Sequence, residues 1–188
     1  MNILVDNIEW MTFNIILALI AVILGIIFLY INNKLLKILV FIVWMLYLPN
    51  TIYLITDTQH FSDQWLKLPP SLHLVLVVQY IVLILIGIAT FLLGIYLLDK
   101  FFSTSKIKKN KILINILLII TNYVLAFGVA LGRIYRLNSY EVFTQPQKVI
   151  SGCLSLLTSA EAMIAIFIFG TFTSYLYFFL RKKINIKM

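Results

Sequence analysis

Five apolar stretches, each long enough to cross a bilayer as an α-helix, restrict the folds open to this chain. They are residues 11–31, 35–55, 72–98, 112–131 and 158–180, and crossing a hydrocarbon core takes about 20 helical residues. Hydrophobic residues make up 62% of the chain and charged residues 12%, whereas soluble domains have roughly 45–50% and about 25%. The sequence therefore predicts an all-α integral membrane bundle, with residues 1–188 forming one transmembrane domain.

Lysine and arginine divide unevenly between the two ends of the predicted helices. If the spans alternate in direction, one side carries eleven basic residues and the other four. The richer side holds Lys34, Lys37, Lys100, Lys106, Lys108, Lys109, Lys111, Arg181, Lys182, Lys183 and Lys187, and the other holds Lys67, Arg133, Arg136 and Lys148. Basic residues accumulate in cytoplasmic loops. We therefore expect the N-terminus outside and the C-terminus inside, in the plasma membrane of a bacterial-type cell.

The net charge of +8 does not indicate a nucleic-acid partner, because the basic residues sit in short groups at the ends of apolar runs. Cys153 is the one cysteine, so the sequence predicts no intramolecular disulfide. We expect no cofactor and no metal site, since a site at Asp57 and His60 would lack convincing third and fourth ligands.

Residues 139–157 separate the fourth and fifth apolar runs and are too polar for an easy span. Pro146 suits the first turn of a helix, with Thr144 as a cap just before it. One prediction is a helix from Pro146 through Leu180 whose first turns lie at the outer interface. The other is a separate short interfacial or re-entrant helix over residues 146–157.

The second run ends in a stripe of polar residues at i, i+3, i+7 and i+10, which are Asn50, Tyr53, Asp57 and His60. On an α-helix these share one face, and such a face must contact protein or water because lipid would leave it unsatisfied. Pro49 predicts a kink just before Asn50, or an unwound segment that brings the four residues together without a helix.

The fourth run ends with two small residues and two arginines. Gly128 and Gly132 form a small-xxx-small pair that favours close helix packing. Arg133 and Arg136 follow at i, i+3, and a continuing helix would point both guanidinium groups the same way. Arginine offers a planar, bidentate donor set for carboxylate or phosphate. Asn138 follows shortly after, and Glu161, near the start of the fifth run, is expected to pair with these arginines.

Two segments carry a resemblance to a known family. They read LPN-xx-Y-xx-TD-xx-H from Leu48 to His60, and GR-xx-R-x-NS from Gly132 to Ser139. In length, span order and these segments the chain resembles the membrane proteins called domain of unknown function 1361. Tyr140 stands where many members have tryptophan. The resemblance implies a bacterial-type membrane protein with a site at these residues, and it implies no reaction.

These residues favour three functional interpretations. A charged cluster at the outer face, centred on Asp57, His60, Arg133 and Arg136, would bind an anionic lipid head group or a cell-envelope precursor. The same cluster with Glu161 would instead be an ion-pair network between helices. The chain would otherwise be a non-enzymatic accessory subunit of a membrane complex, docked through Gly128 and Gly132. No nucleotide-binding, nucleophile-elbow or zinc-protease motif is present, so the sequence assigns no reaction.

Overall fold

The computed structural model describes residues 3–105 and 107–183, so Lys106 and Lys187 of the cytoplasmic group lie outside the described residues. The α-helices are α1 (Ile3–Tyr30), α2 (Lys34–Tyr47), α3 (Pro49–Thr56), α4 (Phe61–Lys67), α5 (His73–Thr104), α6 (Lys111–Tyr135), α7 (Glu141–Thr144), α8 (Pro146–Thr158) and α9 (Ala160–Lys183). Short 3-10 turns cover Asp57–His60 and Pro70–Leu72.

Five helical segments among the described residues are long and apolar enough to cross a membrane. They are Ile3–Tyr30, Lys34–Lys67, Pro70–Thr104, Lys111–Tyr135 and Ala160–Lys182. No strand occurs between residues 3 and 183 where the structure describes the chain. The prediction of an all-α, multi-pass membrane protein is therefore confirmed. Its helices expose large apolar side chains along their length, which suits a lipid solvent.

The chain forms two compact units, one ending at Gly94 and the other beginning at Ile95. In the first unit, α1 packs against α2 and α3. Small residues on the buried face of α1, such as Ala18 and Ala21, allow the close approach of a neighbouring helix. Further along, the Phe28 ring lies 5.3 Å from that of Trp44, which is fully buried in α2.

The second span is interrupted at Leu48, one residue before Pro49. Proline lacks an N–H and cannot continue the hydrogen-bond ladder, so α2 ends and α3 begins there. Asn50 Nδ2 donates to the Tyr47 carbonyl oxygen at 2.9 Å. That bond uses the side chain of a predicted site residue to satisfy backbone at the break.

In the second unit, α6 and α9 pack against each other in antiparallel directions. Arg181 Nη1 donates to Asn115 Oδ1 at 3.0 Å near one end, and the hydroxyls of Tyr123 and Thr171 lie 2.9 Å apart further along. Gly170 permits this approach, because a Cβ there would lie 2.6 Å from the Tyr123 ring. The C-terminal end of α6 therefore lies beside the N-terminal end of α9.

The stretch between α6 and α9 contains a separate helix, α8. Ser159 has extended backbone angles, φ −90° and ψ 112°, and separates α8 from α9. The helix is therefore not continuous from Pro146 through Leu180, and the structure instead has the alternative of a short separate helix.

Candidate functional site

Asp57 is a buried carboxylate at the end of the second span. It begins the 3-10 turn after α3, and the residue is 2% exposed. Asn14 of α1 donates from Nδ2 to Asp57 Oδ2 at 3.0 Å. A buried acidic group needs polar partners, and Asn14 supplies one. This hydrogen bond ties the second span to α1.

His60 does not hydrogen-bond to Asp57 in the described part of the chain, so the structure does not show the predicted acid/base pair. Its ring lies edge-on to Trp10 at 6.0 Å, and Nε2 is 3.4 Å from Gln59 Nε2. A 3-10 turn rises about 2 Å per residue, which places His60 roughly 6 Å beyond Asp57 along the axis. His60 is exposed there, while Asp57 faces inward.

The first unit also contains a group of hydrogen-bonded side chains that we call the amide cluster: Asn7, Gln64 and Gln79, with Trp10 and Tyr80. Asn7 Nδ2 donates to Gln64 Oε1 at 2.8 Å and to Gln79 Oε1 at 3.2 Å. Asn7 Oδ1 accepts from Gln64 Nε2 at 2.8 Å and from Trp10 Nε1 at 3.0 Å. Tyr80 donates to Gln64 Oε1 at 3.1 Å. The cluster joins α1, α4 and α5, and sequence reasoning missed it because its members are scattered and uncharged.

Arg133 and Arg136 lie at the end of α6, but not on one helix face. Arg133 is in the last turn, whereas the helix ends at Tyr135 and Arg136 is outside it. Arg136 adopts a left-handed conformation with φ 53°, and its N–H bonds to the Leu131 carbonyl oxygen. The helical i, i+3 argument therefore does not hold for this pair. Arg136 is exposed and Arg133 half-buried.

The loop after Arg136 is closed by Glu141. Glu141 Oε2 accepts from the Asn138 N–H, and Glu141 Oε1 lies 2.6 Å from Lys148 Nζ. The hydrogen bond from Lys148, followed by that from the Asn138 backbone, holds the pKa of the Glu141 carboxyl below its ordinary value of 4.5. Asn138 thus has a structural role, through its backbone, that the sequence did not predict.

The remaining predicted site residues differ in their exposure to solvent. Tyr53 is half-buried in α3, and Glu161 is exposed in the first turn of α9. Within residues 3–105 and 107–183, no side chain forms an ion pair with Glu161. Gly128 and Gly132 are half-buried in α6, and their role in docking stays a prediction. Asp57 belongs to the first unit and the two arginines to the second, so their joint site also stays a prediction.

A second charged group, at the opposite end of α6 and α9, was missed. Asp99 near the end of α5 is fully buried, and its Oδ2 lies 2.6 Å from the Tyr177 hydroxyl and 3.0 Å from Arg181 Nε. Ser103 donates to Asp99 Oδ1 at 3.4 Å. The sequence feature that could have predicted this group is Arg181, the one arginine among the lysines of the predicted cytoplasmic side.

The described residues offer no candidate metal site. They contain no group of three or more His, Cys, Asp or Glu side chains that could hold a metal ion. Its charged groups bind one another or lie at span ends, an arrangement suited to holding helices together and to binding an anion.

Comparisons with known proteins give a family and nothing finer. A family model described as a protein of unknown function, DUF1361, matches residues 13–176. No curated protein and no solved structure matches the chain. The match covers most of the chain and includes both sequence segments that resemble this family. The chain therefore belongs to the family of proteins called domain of unknown function 1361.

Proposed function

We propose that this membrane protein binds an anionic lipid head group, or a cell-envelope precursor bearing a phosphate, through Arg133 and Arg136. The proposal places it in the plasma membrane, with the N-terminus outside and both arginines at the outer face. The uneven distribution of lysine and arginine supports that orientation.

The observation that carries the proposal is the conformation of Arg136. A non-glycine residue in the left-handed region costs about 1 kcal/mol, and glycine is the residue usually found at such a helix end. An exposed arginine held in a strained backbone conformation is a candidate for function. It comes directly after a helix long enough to span a membrane, and a second arginine lies one turn earlier. The end of a span is where we expect lipid phosphates.

The chemistry of the two side chains sets the ligand class. A guanidinium donates two parallel N–H bonds to a phosphate or carboxylate and stays charged at any physiological pH. Asn138 and Glu161 belong to the same unit as the two arginines and are further candidate residues of the site. The sequence pattern alone adds Asp57, His60, Asn50 and Tyr53 of the second span as candidates.

Native mass spectrometry of the protein in nanodiscs tests this. The nanodiscs would contain phosphatidylcholine with phosphatidylglycerol or with a polyprenyl phosphate. We expect a retained anionic lipid in the wild type and its loss in Arg133→Lys and Arg136→Lys. Arg181→Lys is the matched control, because that guanidinium already binds Asp99, and it should retain the lipid.

The opposite result is equally defined. If no anionic lipid is retained and Arg133→Lys is strongly destabilised, the cluster is an interhelical ion-pair network and the proposal is wrong. Breaking a buried pair costs roughly 3–5 kcal/mol, which thermal unfolding of the same samples would reveal.

A further inference from the structure

The helix α8 has three distinct sides. Gly152 and Leu156 are buried, and α8 packs against α6 and α9. A second side carries Ile150, Leu154 and Leu157, which are 58–59% exposed. At about 100° per residue, these three fall within roughly 60° of the helix circumference.

The third side of α8 is polar. It carries Gln147, Lys148, Ser151, Ser155 and Thr158, which occupy the arc next to the exposed apolar residues. A helix with an apolar arc beside a polar one is the pattern of a segment lying in the plane of a membrane interface. Its 13 residues reach only about 20 Å, well short of the roughly 30 Å of a hydrocarbon core.

The surrounding helices fix where α8 lies. Because α6 and α9 are antiparallel neighbours, the chain leaves the end of α6 and re-enters at the adjacent start of α9. The middle of α8 is held against that same end, since a Cβ on Gly152 would lie 2.9 Å from Leu137 Cδ1 and 3.5 Å from Leu131 Cδ2. The middle of α8 thus stays beside the last turn of a membrane span.

We propose that α8 is an interfacial membrane helix whose Ile150, Leu154 and Leu157 insert among the acyl chains, with its polar arc facing the head groups and water. The helices that α8 packs against, α6, α7 and α9, also expose large apolar side chains, namely Ile134, Phe143 and Ile164. Because α8 is amphipathic and packs against two helices long and apolar enough to span a membrane, we take lipid as the occupant of this side of α8.

The position of α8 has a consequence for the two arginines. A Cβ on Gly152 would lie 2.9–3.6 Å from the side chains of Leu131, Tyr135 and Leu137, which flank Arg133 and Arg136 in the chain. An α8 anchored in the interface would therefore keep the backbone around both arginines near the membrane surface, within reach of lipid phosphates. This second step rests on the proposed function, whereas the lipid contact of α8 does not.

Spin labelling tests the lipid contact. Cys153 is the one cysteine, so Cys153→Ser supplies a cysteine-free background for single substitutions. Leu154→Cys and Ile150→Cys report the apolar arc, and Gln147→Cys and Ser151→Cys are matched controls on the polar arc. All four positions are exposed, so a label at each is compatible with folding. Each variant is reconstituted full-length in phosphatidylcholine–phosphatidylglycerol bilayers.

We expect the ratio of collision rates with oxygen, which partitions into lipid, to those with a water-soluble nickel chelate to be several-fold higher at Leu154 and Ile150 than at the controls. Equal ratios on both arcs would overturn the proposal, and so would labels at Leu154 and Ile150 that neither reagent reaches, since a protein partner would then cover them. The result is separable from lipid retention by the arginines. If α8 is embedded in lipid but no anionic lipid is retained, this inference stands and the proposed function is wrong. If an anionic lipid is retained but α8 does not contact lipid, the proposed function stands and this inference is wrong.

Discussion

Replacement of Asp99 by asparagine tests whether the charged group at the α5–α9 end holds the second unit together. Asp99 is fully buried and accepts two short hydrogen bonds, from the Tyr177 hydroxyl at 2.6 Å and from Arg181 Nε at 3.0 Å. The contacts from Ser103 and from Arg181 Nη2, both at 3.4 Å, are too long to add much.

The expected magnitude follows from these contacts. A hydrogen bond to a charged group contributes about 1.5–3 kcal/mol, and removing one partner of a buried pair costs roughly 3–5 kcal/mol. The Arg181 side chain is 21% exposed, so it regains some solvation once released. We therefore expect Asp99→Asn to lower the free energy of unfolding by about 3 kcal/mol, and Tyr177→Phe to lower it by about 2 kcal/mol.

Unfolding of the reconstituted or detergent-solubilised protein, followed by intrinsic fluorescence, measures both values. Asp63→Asn is the matched control, because Asp63 is an exposed carboxylate in α4, and it should change the free energy by less than about 0.5 kcal/mol. A double-mutant cycle with Arg181→Gln isolates the pair energy. If Asp99→Asn unfolds like the Asp63→Asn control, the buried-pair reasoning is refuted.

Three further predictions concern stability. Gly170→Ala should destabilise the protein by about 1–3 kcal/mol through overpacking against an aromatic ring, whereas Gly94→Ala meets only the movable end of a leucine and should change thermal unfolding little. Arg136→Gly should raise the free energy of unfolding by roughly 0.5–1 kcal/mol by relieving the left-handed backbone, and an unchanged or lower value would argue against strain there. Because the folded pKa of Glu141 lies below 4.5, its stabilisation is present above about pH 4.5 and lost as pH falls through the folded pKa. Wild type should therefore unfold at a higher temperature than Glu141→Gln at pH 7, and a gap that does not narrow as the pH is lowered below about 4.5 would contradict this.

The sequence predicted the spans well because lipid imposes a length and a composition on each of them. An interruption of a helix could be predicted only where a single residue type causes it. Pro49 predicted the interruption at Leu48, because proline has no N–H to continue the helical hydrogen bonds. Nothing comparable marks Ser159, where an ordinary residue adopts an extended conformation, so continuous and separate helices both fitted the sequence.

Side-chain partners were harder to predict, because they depend on register between helices. Helical spacing grouped Arg133 with Arg136, yet α6 ends between them at Tyr135. The same reasoning paired Asp57 with His60, whereas a 3-10 turn separates them along its axis. The partnership of Asp99 with Tyr177 joins residues 78 positions apart, and only packing reveals such a pair.

The amide cluster joins helices of the first unit through hydrogen bonds that do not depend on pH in the acidic range. Its hydrogen bonds join carboxamides, an indole and a phenol. None of these groups gains or loses a proton between about pH 4 and pH 9. Acidification of the surrounding medium would therefore leave this junction of α1, α4 and α5 intact.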